Sequence, residues 1–364
     1  MTGSQRPRVL VLLKTLGIGG AETLVLNSSR LWDRSQFDYR LGYLGKPADL
    51  EPEFRSGGFE PVRFAPSGHA NDPFSLWELF RWIRREQITL IHAHLPVPSL
   101  WAVLAARGTG TKVVATNHSQ PESMRPLTAR IARLAWPRAD LVIAVGSSLA
   151  ADSRTARRTE LVNNGVELDR FVSARPAALD GIPPDATVVL VLGSLIELKR
   201  PLETLNVFER AVEKAGSSAN AHLVFAGGGE LAASLAAARD ASPHAKRIHL
   251  LGLRRDIPAL CARADIVLLL SRTEGLPMAL LEGGAGGCSL IATRIASVGT
   301  LVRDGENGFL VTDDLEAAGA LSRLLADPAL RKKMGAASRE TVAREFNLQS
   351  NVRRIEQLYR EVLA

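Results

Sequence analysis

Short apolar runs recur along the first part of the chain at 9–13, 39–44, 60–64, 89–93, 112–116, 141–145 and 160–162. Runs of this length, closed by turn residues, are expected of strands buried on both faces of a parallel sheet. Between several of them lie stretches of helical periodicity, for example 75–85 and 98–106. The alternation predicts a parallel sheet with helices on both faces, a Rossmann-like half. The second half repeats the pattern, with strands expected at 188–192, 222–226, 248–251, 266–270, 289–292 and 308–311. Arg138-Ala139-Asp140-Leu141-Val142 and Arg263-Ala264-Asp265-Ile266-Val267 match almost letter for letter, each closing a helix and entering a strand. Two similarly built domains are the expectation, and no short-period repeat is visible.

Residues 173–185 are rich in Ala and Pro with one Gly, and read as an interdomain linker. The expected division is 1–173, 174–346 and a last segment 347–364. Within the last segment, 348–363 has apolar residues at Val352, Ile355, Leu358 and Leu363 with charges between, the pattern of an amphipathic helix.

At 364 residues and 46% hydrophobic content the chain supports two cores of ordinary size. Its net charge of +7 favours acidic partners: phosphorylated substrates, anionic lipid or nucleic acid. No zinc-finger spacing, aromatic RNA motif or recognition helix accompanies the arginines, so nucleic acid is not expected. Cys261 and Cys288, the only cysteines, form no Cys-x-x-Cys pair, which argues against a disulfide scaffold and a cysteine-based zinc site; a reducing cytoplasm is the simplest setting. The run 9–13 is too short for a signal core or a membrane span and suits a first strand.

The most informative stretch is Glu274-Gly275-Leu276-Pro277-Met278-Ala279-Leu280-Leu281-Glu282, which follows the apolar run 266–270. The order is strand, turn, helix, with one carboxylate in the turn and another inside the helix. Pro277 suits the first helical position, and the free N–H groups behind it would face the carboxyl edge of the sheet, where anions bind. A cap for Glu274 and a solvated Glu282 is the plainer reading of the same residues. Earlier, Gly17-Ile18-Gly19-Gly20-Ala21-Glu22 forms the first strand-to-helix turn without the dinucleotide glycine spacing; a tight turn and a ligand loop explain it equally. Ile91-His92-Ala93-His94 and Thr116-Asn117-His118-Ser119 place histidines at strand ends, with no third metal ligand at a recognisable spacing.

Taken together these pieces resemble glycosyltransferase family 4, the large retaining group with the GT-B fold of two Rossmann-like domains facing across a cleft. The resemblance rests on the E-x7-E arrangement from Glu274 to Glu282, the Gly-Gly-Ala-Glu loop and Asn164-Gly165-Val166 with Phe171. It extends to 192–200, Gly227-Gly228-Gly229-Glu230, 252–257 and 303–311. It implies a last helix that crosses back onto the first domain. It also implies a nucleotide-sugar donor held mainly by the second domain, with an acceptor approaching from the first. Glu274 would bind donor-sugar hydroxyls, Lys199 the diphosphate, Glu282 the ribose, and Leu253 and its neighbours the base. Leu276, Pro277 and Met278 would border the phosphates, with Gly19 and Gly20 meeting them from the first domain. His118 would lie near the donor sugar and His94 on the acceptor side. The family's Arg position is Ser194 here, with Arg200 or Arg272 as candidate substitutes.

The implied activity is glycosyl transfer with retention, UDP-sugars first and GDP-mannose next in expectation, to a glycan or lipid-linked acceptor in cell-envelope or exopolysaccharide synthesis. No metal or other cofactor is required on this scheme, and no Asp-x-Asp motif is present to hold one. The alternative set by Ser194 is a catalytically weak or inactive protein that binds sugar nucleotides or glycans. In 125–136 arginines alternate with Leu, Ile and Trp at helical spacing. That suits either a helix packed on the sheet or one resting on an anionic membrane, which would place the protein peripherally on the inner face of the cell membrane.

Overall fold

The computed structural model describes residues 6–65, 67–69, 72, 74–118, 124–146, 156–216 and 220–364. The chain divides into two compact units: residues up to Asn164 with Leu348–Ala364, and Gly165–Asn347.

In the first unit β1 (Arg8–Leu13), β2 (Asp38–Tyr43), β3 (Val62–Arg63), β4 (Leu90–His94), β5 (Lys112–Asn117), β6 (Leu141–Ala144) and β7 (Thr159–Leu161) form one sheet. Its order is β3-β2-β1-β4-β5-β6-β7, and its paired strands are parallel. The helices are α1 (Gly20–Ser29), α2 (Glu51–Ser56), α3 (Phe74–Arg85), α4 (Pro96–Ala105) and α5 (Pro126–Ala135). Alternate residues of β1 feed the two sides of the sheet. Val9, Val11 and Leu13 pack with Val25 and Leu26 of α1. Leu10 and Leu12 pack with Leu79, Ile83, Ala102, Ala105, Ala132 and Ala135 of α3, α4 and α5. Both faces are covered, which is why the strand reads as an unbroken apolar run.

The C-terminal helix, Leu348–Leu363, belongs to this unit. Leu358 and Tyr359 enter the α1 side of the core. Buried Glu356 accepts hydrogen bonds from the Asp33 N–H (2.8 Å) and the Tyr39 hydroxyl (2.7 Å).

The second unit contains α6 (Leu168–Val172), β8 (Thr187–Leu192), α7 (Pro201–Ala215), β9 (Ala221–Ala226), α8 (Ala232–Ala241) and β10 (Ile248–Leu250). They are followed by α9 (Ile257–Arg263), β11 (Ile266–Leu269), α10 (Met278–Gly286), β12 (Ser289–Thr293), β13 (Gly308–Val311), α11 (Asp314–Ala326) and α12 (Pro328–Glu345). The sheet is parallel, in the order β10-β9-β8-β11-β12-β13. Each sheet therefore reverses its winding once, between β1 and β4 and between β8 and β11. Loops leaving the carboxyl ends of those strand pairs diverge and leave a crevice, the usual ligand position of an open parallel sheet.

The unit boundary lies at Asn164–Gly165 rather than near residue 174. Phe171 of α6 is buried among Val188, Leu260 and Leu281, residues of the second core. The Ala/Pro segment expected to be a linker is instead a strap on that core: Ala177, Leu179 and Ile182 pack against it, and the Ala177 N–H donates to the Ala259 carbonyl (2.9 Å).

The two near-identical segments do the same structural work. Asp140 Oδ2 accepts from the Val113 N–H of β5 (2.8 Å), and Asp265 Oδ2 accepts from the Val188 N–H of β8 (2.9 Å). Each aspartate joins the start of one strand to the start of its neighbour. Asp140→Ala and Asp265→Ala should each lower stability by about 1–3 kcal/mol, the cost of stranding a buried N–H. Asp→Asn, which keeps an acceptor, should lose less. Urea titration followed by circular dichroism checks both.

Candidate active site

At the crevice of the second sheet the backbone is set by glycines. Gly193, directly after β8, has φ +133°, a region open to glycine. The turn after β9 packs backbone to backbone on this loop: a Cβ on Gly227 would lie 1.8 Å from the Gly193 carbonyl oxygen, and one on Gly229 would lie 2.4 Å from that of Leu195. The Leu195 N–H donates to Gly228 (2.9 Å) and the Leu231 N–H to Leu195 (2.9 Å). So held, the loop passes through the 3₁₀ turn Glu197–Lys199 and presents Lys199 beside the β11 loop.

Lys199 Nζ donates to Glu274 Oε1 in an ion pair whose side chains are 25% and 11% exposed. The Arg272 N–H donates to the Leu198 carbonyl (2.9 Å), and the Ser297 hydroxyl to the Glu274 carbonyl (3.0 Å), fixing the turn that carries the carboxylate. Pro277 is the cap of α10 rather than its first residue, with φ −72° and ψ 120°. The Leu280 N–H turns back to the Pro277 carbonyl (3.2 Å), so Met278 and Ala279 supply the N–H groups that helix geometry leaves without an intrahelical acceptor. Leu276 and Pro277 are buried, and Leu276 and Met278 pack on the core, so this segment can meet a ligand through its backbone.

Ser194 is exposed on the same loop. Arg200 is held by other carboxylates: its Nη2 donates to both Asp314 oxygens (2.9 Å each) and its Nε to Glu203 (3.4 Å). Arg272 is paired with Glu197 (2.9 Å). Both candidate substitutes for the missing arginine thus hold other carboxylates. Leu253, 63% exposed, follows Gly252 at φ +64° and rests its side chain near Gly228. Glu282 is enclosed on α10; burial pushes its carboxyl up to about 7, against the pull of Arg170.

In the first unit Gly19, Gly20 and His94 lie at the switch point, and His118 follows the neighbouring β5. Gly19 caps α1, and a Cβ there would lie 2.5 Å from Glu22 Oε2. Glu22 is buried in the first turn, and desolvation raises its pKa. His94 Nδ1 and His118 Nε2 are 2.9 Å apart, their rings stacked at 5.2 Å. The His92 ring lies 4.3 Å from that of His94, tilted by 36°. Both nitrogens of His92 are engaged, Nδ1 with the Tyr359 hydroxyl (2.5 Å) and Nε2 with Thr116 Oγ1 (2.6 Å), leaving none for a metal. Burial lowers all three pKa values, His92 to about 3 and His118 to about 4, so near neutral pH these rings are uncharged. Leu95, next to His94, is held at φ +74° and ψ 159°, an unfavourable backbone for a residue with a side chain.

Comparison with known proteins assigns this arrangement to a family. Residues 18–170 match the model described as Glycosyltransferase Family 4, and residues 186–327 that described as Glycosyl transferases group 1. The chain belongs to glycosyltransferase family 4. This glycosyltransferase is 26% identical over 296 residues to the N-acetyl-alpha-D-glucosaminyl L-malate synthase of Bacillus anthracis, covering 77% of this chain and 76% of the relative. It is 25% identical to the Escherichia coli UDP-Gal:alpha-D-GlcNAc-diphosphoundecaprenol alpha-1,3-galactosyltransferase, covering 94% of each. Its fold is GT-B. Anabaena HepE in complex with UDP-glucose superposes with a TM-score of 0.82 at 19% identity, over 97% of this chain and 99% of that one.

Within the second unit of the glycosyltransferase, Glu274 and Lys199 are in direct contact, while Arg200 is paired with Asp314. Within the first, His94 and His118 are joined through their rings. Sequence reasoning did not foresee the Tyr359–His92–Thr116 chain, nor Asp314 as the partner of Arg200. The Ile91-His92-Ala93-His94 repeat was the available signal for the former.

Glu282 gives a pH signature. Its folded pKa exceeds the unfolded value, so the folded state binds the extra proton between about 4.5 and about 7. This group's contribution to stability therefore falls as pH rises through that window. Glu282→Gln should remove the decline: melting temperatures measured from pH 5 to 8 should converge at the acid end and favour the variant at the alkaline end. Parallel pH curves for the two proteins would refute the assignment.

Proposed function

We propose that the chain is a retaining glycosyltransferase that moves a sugar from a nucleotide-sugar donor to a hydroxyl of a glycan or lipid-linked acceptor in cell-envelope or polysaccharide synthesis. The observation that carries the reading is the Lys199–Glu274 pair at the switch point of the second sheet, beside the N-terminus of α10. A nucleoside diphosphate sugar presents a negative pyrophosphate next to a ring of hydroxyls, and this pair presents a cation next to an acceptor of hydroxyl protons. Lys199 and the Met278 and Ala279 N–H groups serve the phosphates, and Glu274 the sugar. Glu282 serves the ribose. Backbone groups around Leu253 serve the base.

UDP-sugars are the first choice of donor, because HepE binds UDP-glucose and the Escherichia coli relative is named for UDP-galactose; GDP-mannose is next. In the reaction the bond from the anomeric carbon to the phosphate oxygen breaks. The acceptor oxygen bonds to the same face of that carbon, and its proton passes to the departing phosphate. Charge growing on that phosphate is met by Lys199 and the helix terminus, which is electrostatic catalysis and assigns no step to a metal ion. Neutral His118 orients the donor sugar, and His94 belongs to the acceptor side. Such chemistry draws its donor from the cytoplasm, and a lipid-linked acceptor would keep the protein at the inner face of the membrane.

Ser194 favours a second reading. With Arg200 and Arg272 tied to carboxylates, only Lys199 among these cations reaches the Glu274 position, and a protein that binds donor without turning it over fits that deficit. Turnover of radiolabelled nucleotide sugars separates the two. Glu274→Gln should reduce transfer by about 10²–10³, the scale of losing one well-placed polar group, while the chain still folds cooperatively. Unchanged transfer in that variant would overturn the assignment. Binding without transfer or hydrolysis, in the presence of diverse acceptors, would establish the second reading.

A further inference from the structure

Four of the nine large apolar side chains exposed among the described residues stand on two helices of the first unit: Phe74 (69%) and Trp77 (53%) on α3, Leu127 (66%) and Leu134 (51%) on α5. The others, Ile18, Leu161, Val172, Leu253 and Leu315, are scattered over separate elements. On α3 the exposed row runs Phe74, Trp77, Arg81, Arg84 at helical spacing, while Leu79 and Ile83 enter the core from the opposite side. On α5 the row runs Leu127, Arg130, Leu134 with Arg133 beside it, while Ala132 and Ala135 face the core. Between them lies α4, which contacts both helices and carries no charged residue. Its Leu100, Trp101, Val103 and Leu104 are half-buried, so an apolar ridge joins two arginine-bearing rows.

The charge on this face is predominantly basic. Glu78 is the only acidic residue in α3, and α5 has none. Arg81, Arg84, Arg130 and Arg133 have no carboxylate partner among the described residues. The Arg81 guanidinium lies 4.5 Å from the centre of the Trp77 ring, so cation and aromatic ring are offered together. An anionic bilayer satisfies both features: guanidinium groups meet headgroup phosphates while aromatic and leucine side chains enter the boundary below. Nucleic acid would use the arginines but leave the leucines in water, and a second copy would oppose like charges.

We infer that the α3–α4–α5 face of the first unit is a docking surface for an anionic lipid bilayer, with Phe74, Trp77, Leu127 and Leu134 inserted and Arg81, Arg130 and Arg133 on the headgroups. This surface goes beyond the donor-site assignment and uses none of its residues.

Flotation of the full chain with phosphatidylcholine vesicles, with and without phosphatidylglycerol, tests it. Binding is expected only with the anionic lipid and should weaken with salt. Arg130→Glu/Arg133→Glu should lower partitioning by at least about tenfold, since each basic residue near a charged surface contributes a several-fold factor. Trp77→Ser/Leu134→Ser should lower it as well. Brominated lipid should quench tryptophan emission of the native chain and lose that part of the effect in Trp77→Phe. No binding to phosphatidylglycerol vesicles, binding indifferent to both double variants, or equally tight binding to duplex DNA that ignores Trp77 would each overturn the inference. Nucleotide-sugar binding should be unchanged in all of these variants, so a missing donor site would be seen separately.

Discussion

An ion pair between Lys199 and Glu274, residues 75 positions apart, holds the loop after β8 against the loop after β11. Neither charge retains full contact with water, so each depends on the other for compensation, and deleting one alone leaves a poorly solvated charge behind. A ligand displaces such a pair without penalty only if it replaces both partners. A diphosphate joined to a sugar does that, one end for the ammonium and the other for the carboxylate. On the proposed reading this demand would make the site selective: inorganic phosphate would answer Lys199 but not Glu274, and a free sugar the reverse.

The same winding reversal occurs in both units. Each sheet reverses its winding once, and the loops at that reversal carry Lys199 and Glu274 in one unit, the Gly19–Gly20 turn and His94 in the other. The two crevices differ in electrostatics. In the second, charges are paired and α10 directs unsatisfied donors outward. In the first, burial keeps three clustered histidines neutral, and Tyr359 of the C-terminal helix holds His92 through its hydroxyl. Neutral imidazoles can orient hydroxyl groups through hydrogen bonds without carrying a charge of their own.

The alternation of strands and helices was legible because strands covered on both faces must be apolar throughout; Val9 to Leu13 is a direct case. The Arg-Ala-Asp repeat was also legible, although its purpose, an aspartate accepting from the neighbouring strand, needed coordinates. What stayed hidden involves partners distant in the chain. Phe171 joins the second core because its neighbours include Leu260 and Leu281, and nothing local to 165–173 announces that. Arg200 follows Lys199 and reads as another phosphate-binding cation, yet Asp314, 114 residues away, holds it. The helical stretch at 75–85 was legible, but which apolar side chains it leaves outside was not read: Leu79 and Ile83 turn inward, and Phe74 and Trp77 stay exposed.

The central claim is that one nucleotide sugar engages the β8 loop, the β11 loop and the start of α10 together. Hydrogen exchange at single-amide resolution, with and without saturating UDP-glucose, addresses it directly. The account predicts slowed exchange at 193–199 and at the Met278 and Ala279 amides, with the exposed face of α8 unaffected. Saturating donor that leaves those amides unchanged while protecting another part of the chain would contradict it.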